Sequence, residues 1–285
     1  MSIVITGASG HLGKLVIDSL LRLGVEPNEV LAAGRDNERL SDHYAPKGVR
    51  TVQIDFNDPG SMEKVFERGD RVLLISGNEM GKRVAQHGNV IDAARKAGVA
   101  HLAYTSAQRA DTTTLVLAPE HKATEEALIA SGVTYTILRN GWYTENYVPA
   151  LEQARQTGKV VASAGNGRVA SAPRADYAAA AAAVLFGEGH ENAVYELSGD
   201  VAWDFDDLAA VFGAALDRKV TYEAVEPEEH LAILKGAGLD ELTAGFLVAL
   251  DGNIRDGELA LTTGDLSRLT GRPTVPLSET FANLS

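Results

Sequence analysis

The chain has 285 residues, 45% of them hydrophobic and 23% charged, a soluble globular composition that argues against disorder, collagen-like repeats or a membrane protein. Its 39 Asp and Glu against 26 Lys and Arg leave a net charge of -13, which offers nucleic acid no basic field, and the absence of cysteine excludes disulfides, thiolate metal sites and a cysteine nucleophile. No window reaches the roughly 18 uncharged apolar residues of a membrane span, and the first apolar run begins at Ile3, leaving no room for a secretory signal; the expectation is a cytoplasmic enzyme.

Short β-branched runs alternate with helix-period segments through the first half, the pattern of a parallel sheet covered by helices. Strands are predicted over residues 2–6, 30–33, 49–54, 71–75, 101–105 and 134–139, each apolar enough for burial on both faces. Between them Leu12, Leu15, Val16, Leu20 and Leu23 recur at helical spacing up to Gly24. The same logic predicts helices over 62–68, over 84–96 before Gly98, and over 122–130 before Gly132. Right-handed crossovers wind such units into a doubly wound α/β sheet.

After Tyr147 the pattern loosens. A helix is predicted over 176–185, with six consecutive alanines that allow close approach to the sheet, then a strand over 193–197. A further helix starts near Asp204, where Asp207 imitates a capping box, and amphipathic helices follow over 227–235 and 241–250. The predicted division is a Rossmann-type dinucleotide-binding domain over 1–147 and a smaller α+β substrate lobe over 148–285, some of whose elements return to the sheet.

The strongest chemical signal is Gly7-Ala8-Ser9-Gly10-His11-Leu12-Gly13, directly after a predicted strand and opening a predicted helix. In that context Gly7 permits the tight turn, Gly10 lets the backbone approach a pyrophosphate, and Gly13 lets the helix lie close to the sheet, while the N–H groups around Ser9, His11 and Leu12 hold the anion. At the end of the second strand, Gly34-Arg35-Asp36 occupies the position that faces the adenosine ribose. Arg35 pairing with a 2′-phosphate would favour NADPH over NADH by about one to two powers of ten, and Asp36 would oppose this if it also faced the ribose. Asp55-Phe56, ending the third strand, is expected to bracket the adenine.

Ligands of open α/β sheets lie beyond the carboxyl ends of the strands. The remaining rim is therefore expected at Ser76-Gly77-Asn78, Thr105-Ser106-Ala107 and Asn140-Gly141-Trp142-Tyr143, the last setting an amide beside two aromatics where a nicotinamide and a flat acceptor could stack. His87 lies on an apolar stripe with Val84, Ile91 and Ala94 and is expected to be a buried, hydrogen-bonded histidine; Tyr104 is expected to serve packing. His121 is left between a cleft role and a helix-start role. No histidine has partners at metal-ligand spacing, so no metal is expected. The pairs Glu125-Glu126, Asp206-Asp207 and Glu228-Glu229 are expected on solvated helix faces.

At this point the chain resembles the NmrA-like atypical short-chain dehydrogenase/reductases, most closely the bacterial NAD(P)H:quinone oxidoreductases of type 2, with triphenylmethane reductases as near relatives. The resemblance runs over almost the whole length: the glycine loop, Leu73-Leu74-Ile75-Ser76, Gln86-His87-Gly88-Asn89-Val90, Ala103-Tyr104-Thr105-Ser106, the run from Leu138 to Tyr147 with its specific Asn140-Gly141-Trp142-Tyr143, and Arg174-Ala175-Asp176-Tyr177. It implies NADPH held by the loop, Arg35 and the strand-end residues, with a quinone reduced in the cleft facing the C-terminal lobe. The Tyr-x-x-x-Lys pair of the wider superfamily is missing, since the corresponding helix begins His121-Lys122-Ala123-Thr124-Glu125. A positioned general acid is worth about 10²–10⁴ in rate, so its loss argues against alcohol dehydrogenation and suits an easily reduced acceptor.

The resulting expectation is an NADP(H)-dependent enzyme, with neither flavin nor metal, that passes hydride directly to a small quinone-like acceptor. Asn140 would hydrogen-bond the acceptor or the carboxamide, and Trp142 and Tyr143 would shape an apolar slot. Two rivals stay open at this stage: a non-catalytic NADP(H)-sensing regulator, and a reductase of triarylmethane dyes. The sequence does not set the oligomeric state.

Overall fold

Unbroken runs of β-branched residues can be buried on both faces only when helices cover both sides of a parallel sheet. The computed structural model, which describes residues 1–282, has that form. In chain order the elements are β1 (Ile3–Ile5), α1 (His11–Arg22), β2 (Val30–Gly34), α2 (Asn37–Tyr44), β3 (Arg50–Gln53), α3 (Pro59–Glu63), β4 (Arg71–Leu74), α4 (Arg83–Ala97), β5 (His101–Ala107), α5 (Ala118–Ala130) and β6 (Tyr135–Asn140). They continue as α6 (Val148–Thr157), β7 (Lys159–Ala162), α7 (Arg174–Phe186), β8 (Ala193–Leu197), α8 (Phe205–Leu216), β9 (Thr221–Ala224), α9 (Pro227–Gly236), α10 (Glu241–Arg255), α11 (Asp265–Thr270) and α12 (Leu277–Ala282). Seven strands form one parallel sheet in the order β3-β2-β1-β4-β5-β6-β8, whose winding reverses between β1 and β4. None of the helices among the described residues is long and apolar enough to cross a membrane.

On one face α1 and α7 cover the sheet through Val16, Ile17, Leu20, Tyr177, Ala178, Ala181, Ala182 and Leu185. The alanines of α7 present no side chain beyond Cβ, so the two helices approach closely. On the other face Met62, Phe66, Val90, Ile91, Ala94 and Leu128 fill the space beneath α3, α4 and α5. A third core, built on Leu151, Val160, Trp203, Phe205, Phe212 and Ile254, joins α6, α8 and α10 to the two-stranded sheet β7-β9. Asp251 ties that region together, since its Oδ2 accepts from Ser163 N at 2.6 Å and Ser163 Oγ at 3.0 Å and lies 2.9 Å from His230 Nδ1. The capping box at Asp204 and Asp207 is complete, each carboxylate accepting from the other's backbone N–H.

Several expectations are corrected. Residues 49–54 are not buried on both faces: β3 lies at the sheet edge, and its termini Arg50 and Gln53 are exposed. The helix expected over 62–68 is α3, earlier and shorter, because Asp58 caps it with a bond to Gly60 N and Pro59 fixes its first position. Helices α2 and α6 and strands β7 and β9 had no sufficient periodic signal. Glu125 is not on a solvated face. It is buried and receives Arg139 through two bonds, Nε to Oε1 at 3.0 Å and Nη2 to Oε2 at 2.6 Å, while Ser106 Oγ donates to the same Oε1 at 2.5 Å. Arg139 Nη1 also donates to Glu196 Oε1 at 2.8 Å and Asp111 Oδ1 at 2.9 Å, which joins β6 to α5 and β8.

Removing one partner of such a pair strands a buried charge. Arg139→Met is therefore expected to lower unfolding free energy by about 3–5 kcal/mol in urea denaturation, and the double variant Arg139→Met/Glu125→Gln to lose distinctly less.

Candidate active site

The loop after β1 turns where Gly7 takes φ +61° and its carbonyl accepts from Gly10 N at 3.0 Å. A Cβ on Gly13 would sit 2.5 Å from Gly7 O and 2.8 Å from Ala8 Cα, so only glycine lets α1 start this close to the strand. The helix has neither a side-chain cap nor an acidic residue in its first turn, whose residues His11, Leu12 and Gly13 line the cleft and whose N–H groups have no intrahelical acceptor. A Cβ on Gly10, in ordinary extended backbone, would meet only Gly7 O at 3.2 Å. The protein's own packing makes a weak demand for glycine there, whereas an anion drawn to the helix dipole would use that space.

The cleft over this loop has a volume of about 440 Å³. Gly7, Ser9, Gly10, His11, Leu12 and Gly13 form its middle; Arg35, Asp55 and Phe56 line one end; Ser76 and Gly77 and then Tyr143 line the other. Arg35 and Tyr143 follow β2 and β6, four strand spacings apart or about 19 Å, a span suited to an extended dinucleotide. Arg35 is exposed and meets Glu79 Oε1 at 3.2 Å across the cleft mouth, a solvated pair that a phosphate can readily exchange. The neighbouring Asp36 is the N-cap of α2, its carboxylate accepting from Arg39 N at 3.0 Å.

The rim beyond β4 is held from beneath. Thr6 Oγ1 accepts from Ile75 N at 3.1 Å and Thr105 Oγ1 from Ser76 N at 2.9 Å, while Arg83 Nε donates to Gly77 O at 2.6 Å. Gly77 N donates to His87 Nε2 at 3.0 Å, so the imidazole proton lies on Nδ1, 3.1 Å from Thr124 Oγ1, which in turn donates to Glu120 O. Burial, with the nearby Arg83 charge, pushes the His87 pKa down to about 4. His121 is buried against Tyr104, Nδ1 to Oη 2.7 Å, and burial lowers its pKa to about 3.

Of the expected rim, Thr105, Ser106, Ala107, Asn140, Gly141 and Trp142 do not line the cleft. The strand β5 runs on to Ala107, so Thr105 and Ser106 stay inside the fold, one supporting Ser76 and the other bound to Glu125. Trp142 packs against the core of the C-terminal lobe. Asn140 is buried behind Tyr143, donating from Nδ2 to its Oη at 3.0 Å, and its Oδ1 has no partner among the described residues. Ile75, Glu79, Gln86 and Arg174 line the cleft without having been singled out as site residues. Arg174 opens α7 some thirty residues after Tyr143, too far for spacing alone to connect them, yet its guanidinium carbon lies 4.6 Å from the Tyr143 ring centroid. Burial raises the Tyr143 phenol pKa, against the lowering influence of Asn140 and Arg174.

Comparison with known proteins agrees with this geometry. Residues 7–188 match a family model described as NAD(P)H-binding. Quinone oxidoreductase 2 of Escherichia coli (strain K12) is 43% identical over 282 residues, 99% of this chain and 98% of that protein. The crystal structure of the NADPH-dependent quinone oxidoreductase from Escherichia coli complexed with NADPH superposes with a TM-score of 0.95 at 42% identity, covering 99% of both chains. Triphenylmethane reductase of Citrobacter sp., complexed with NADP(H), gives a TM-score of 0.95 at 38% identity over the full length of both chains.

A histidine whose pKa is lowered on folding contributes stability above its unfolded pKa of 6.5, lost as pH falls toward the folded value. For His87 that window is pH 6.5 to about 4, and the contribution is on the order of 3 kcal/mol. Denaturation midpoints measured from pH 7 to pH 4.5 are expected to fall, and to fall less steeply in His87→Asn.

Proposed function

The chain belongs to the NAD(P)H-binding family, and from that premise we propose that it is an NADPH-dependent reductase whose acceptor is a quinone or a similar conjugated molecule. The observation that carries this reading is one continuous cleft with Arg35 at one end, an uncapped helix start in the middle and Tyr143 with Arg174 at the other. The backbone of Ser9, Gly10, His11 and Leu12 receives the pyrophosphate. Arg35 pairs with the ribose 2′-phosphate, while the Asp36 side chain is turned to its helix cap. Phe56 and Asp55 flank the adenine.

Reduced nicotinamide bound at the other end supplies the hydride. The chain's task is then to fix distance and orientation, which can be worth about 7–11 kcal/mol of a barrier. Ile75, Ser76 and Gly77 form the floor there, immobilised by Thr6, Thr105 and His87. Asn140 acts one step back: its donation to the Tyr143 hydroxyl orients that ring and leaves the phenolic proton pointing elsewhere. Trp142 anchors this segment in the core of the lobe, and Arg174 is the cleft-lining residue contributed from beyond Tyr147. With no Tyr-x-x-x-Lys pair, the acceptor must hold the incoming charge until water protonates it, as a hydroquinone anion does.

NADPH absorbance followed with a panel of quinones is expected to show turnover; tight binding with no turnover across the panel would make the protein a coenzyme sensor instead. Arg35→Ala is expected to raise the NADPH dissociation constant about 10–100-fold by calorimetry while leaving that of NADH within about twofold. Equal losses for both coenzymes would place the arginine outside the phosphate site.

A further inference from the structure

Arg174 is the cationic side chain at the Tyr143 end of the cleft. Its guanidinium lies on the Tyr143 ring, 4.6 Å from the centroid, and is held by Asn146, whose Oδ1 accepts from Nη2 at 2.7 Å. The carboxylate of Glu145 stands close by, 3.5 Å from Nη1, and is itself engaged by the Arg174 backbone N–H at 2.9 and 3.0 Å. The other acid of this helix start, Asp176, is buried and bound to Arg272 and Val275 N. One guanidinium hydrogen bond is thus formed, to Asn146, beside the ion pair with Glu145, and a group with five N–H donors keeps others for a ligand in the cleft that it lines.

On the reading that this chain is a reductase, we infer that Arg174 sets the charge class of the acceptor, favouring neutral molecules that become anions over molecules that arrive as cations. A neutral quinone that accepts a hydride through a new O–H bond, as the donor C–H bond breaks with its electron pair, becomes a hydroquinone monoanion, and water then supplies the second proton. Its transition state carries growing negative charge, which a fixed guanidinium stabilises relative to the free reactants. A triarylmethane cation that accepts a hydride at its central carbon becomes a neutral leuco compound. Its transition state still carries part of a positive charge, which the same guanidinium repels. The change in charge on the donor is the same for either acceptor and cancels from the comparison. Reductases named for each kind of acceptor occur among the relatives, so both acceptors are relevant comparisons.

The test uses the full chain and the variants Arg174→Met and Arg174→Lys. Arg174→Met is expected to lower kcat/KM for a neutral quinone by about 10–100-fold and to leave kcat/KM for a cationic triarylmethane dye unchanged or raised. Independently of turnover, it should weaken binding of 4-nitrophenolate to the NADP⁺-loaded protein by a similar factor, without changing affinity for the neutral methyl ether of that phenol or for NADP⁺. Arg174→Lys should recover most of the nitrophenolate affinity. Equal losses of kcat/KM for quinone and dye, or unchanged nitrophenolate binding in Arg174→Met, would overturn the inference. If the unmodified protein reduced neither acceptor, the reductase reading would fail, and nitrophenolate binding would still decide whether Arg174 selects for negative charge.

Discussion

The start of α1 lies so close to the end of β1 that no side chain fits between them: a Cβ on Gly13 would be 2.5 Å from the Gly7 carbonyl. That close approach sets an uncapped helix N-terminus over the point where the strand order reverses, between β1 and β4. Unsatisfied N–H groups and the helix dipole give the cleft a local positive potential in a protein whose net charge is -13. An anionic coenzyme is drawn to that spot by short-range geometry, because the global field works against it. Arg35 at one end and Arg174 at the other add the two cationic side chains that line the cleft.

Around this fixed point, polar side chains at the strand ends bind protein before they bind ligand. Thr6, Thr105 and His87 each take a backbone N–H of the 75–77 segment. The cost is an imidazole kept neutral in the interior, since protonating Nε2 would set it against the Gly77 N–H. What the site gains is a rim whose carbonyls and amides are preorganised, the property on which positioning catalysis depends. The Arg139 cluster does related work one strand further on, joining β6 to α5 and β8 just before Asn140 and Tyr143 leave the sheet.

Asn140, Trp142 and Tyr143 are neighbours in sequence but serve different parts of the molecule. Tyr143 reaches the cleft, Asn140 supports it from behind, and Trp142 turns into the core of the lobe. Such a segment couples the lobe to the coenzyme end of the cleft, because one short stretch of backbone carries both contacts. The Arg174 guanidinium completes the arrangement from α7, a helix whose alanines bring it onto the sheet beside α1.

The sequence by itself determined the elements whose signals are local. Apolar runs foretold all seven strands of the main sheet, and glycines ended α1, α4 and α5 near the expected places, because backbone sterics and period-2 or period-3.6 burial act over a few residues. The coenzyme loop was legible for the same reason: Gly7 answers to its own positive φ, and Gly10 and Gly13 to contacts within the loop. Tertiary structure alone decided which polar groups face the cleft. Ser106 and Glu125 looked like a rim hydroxyl and a surface acid, yet Arg139, from a third element, draws both inward. Arg174 meets Tyr143 only because α7 returns to the main sheet between two stretches of the lobe, after β7 and before α8. Side-chain partners that lie thirty or a hundred residues away leave no periodic trace, since their pairing is fixed by how the layers stack.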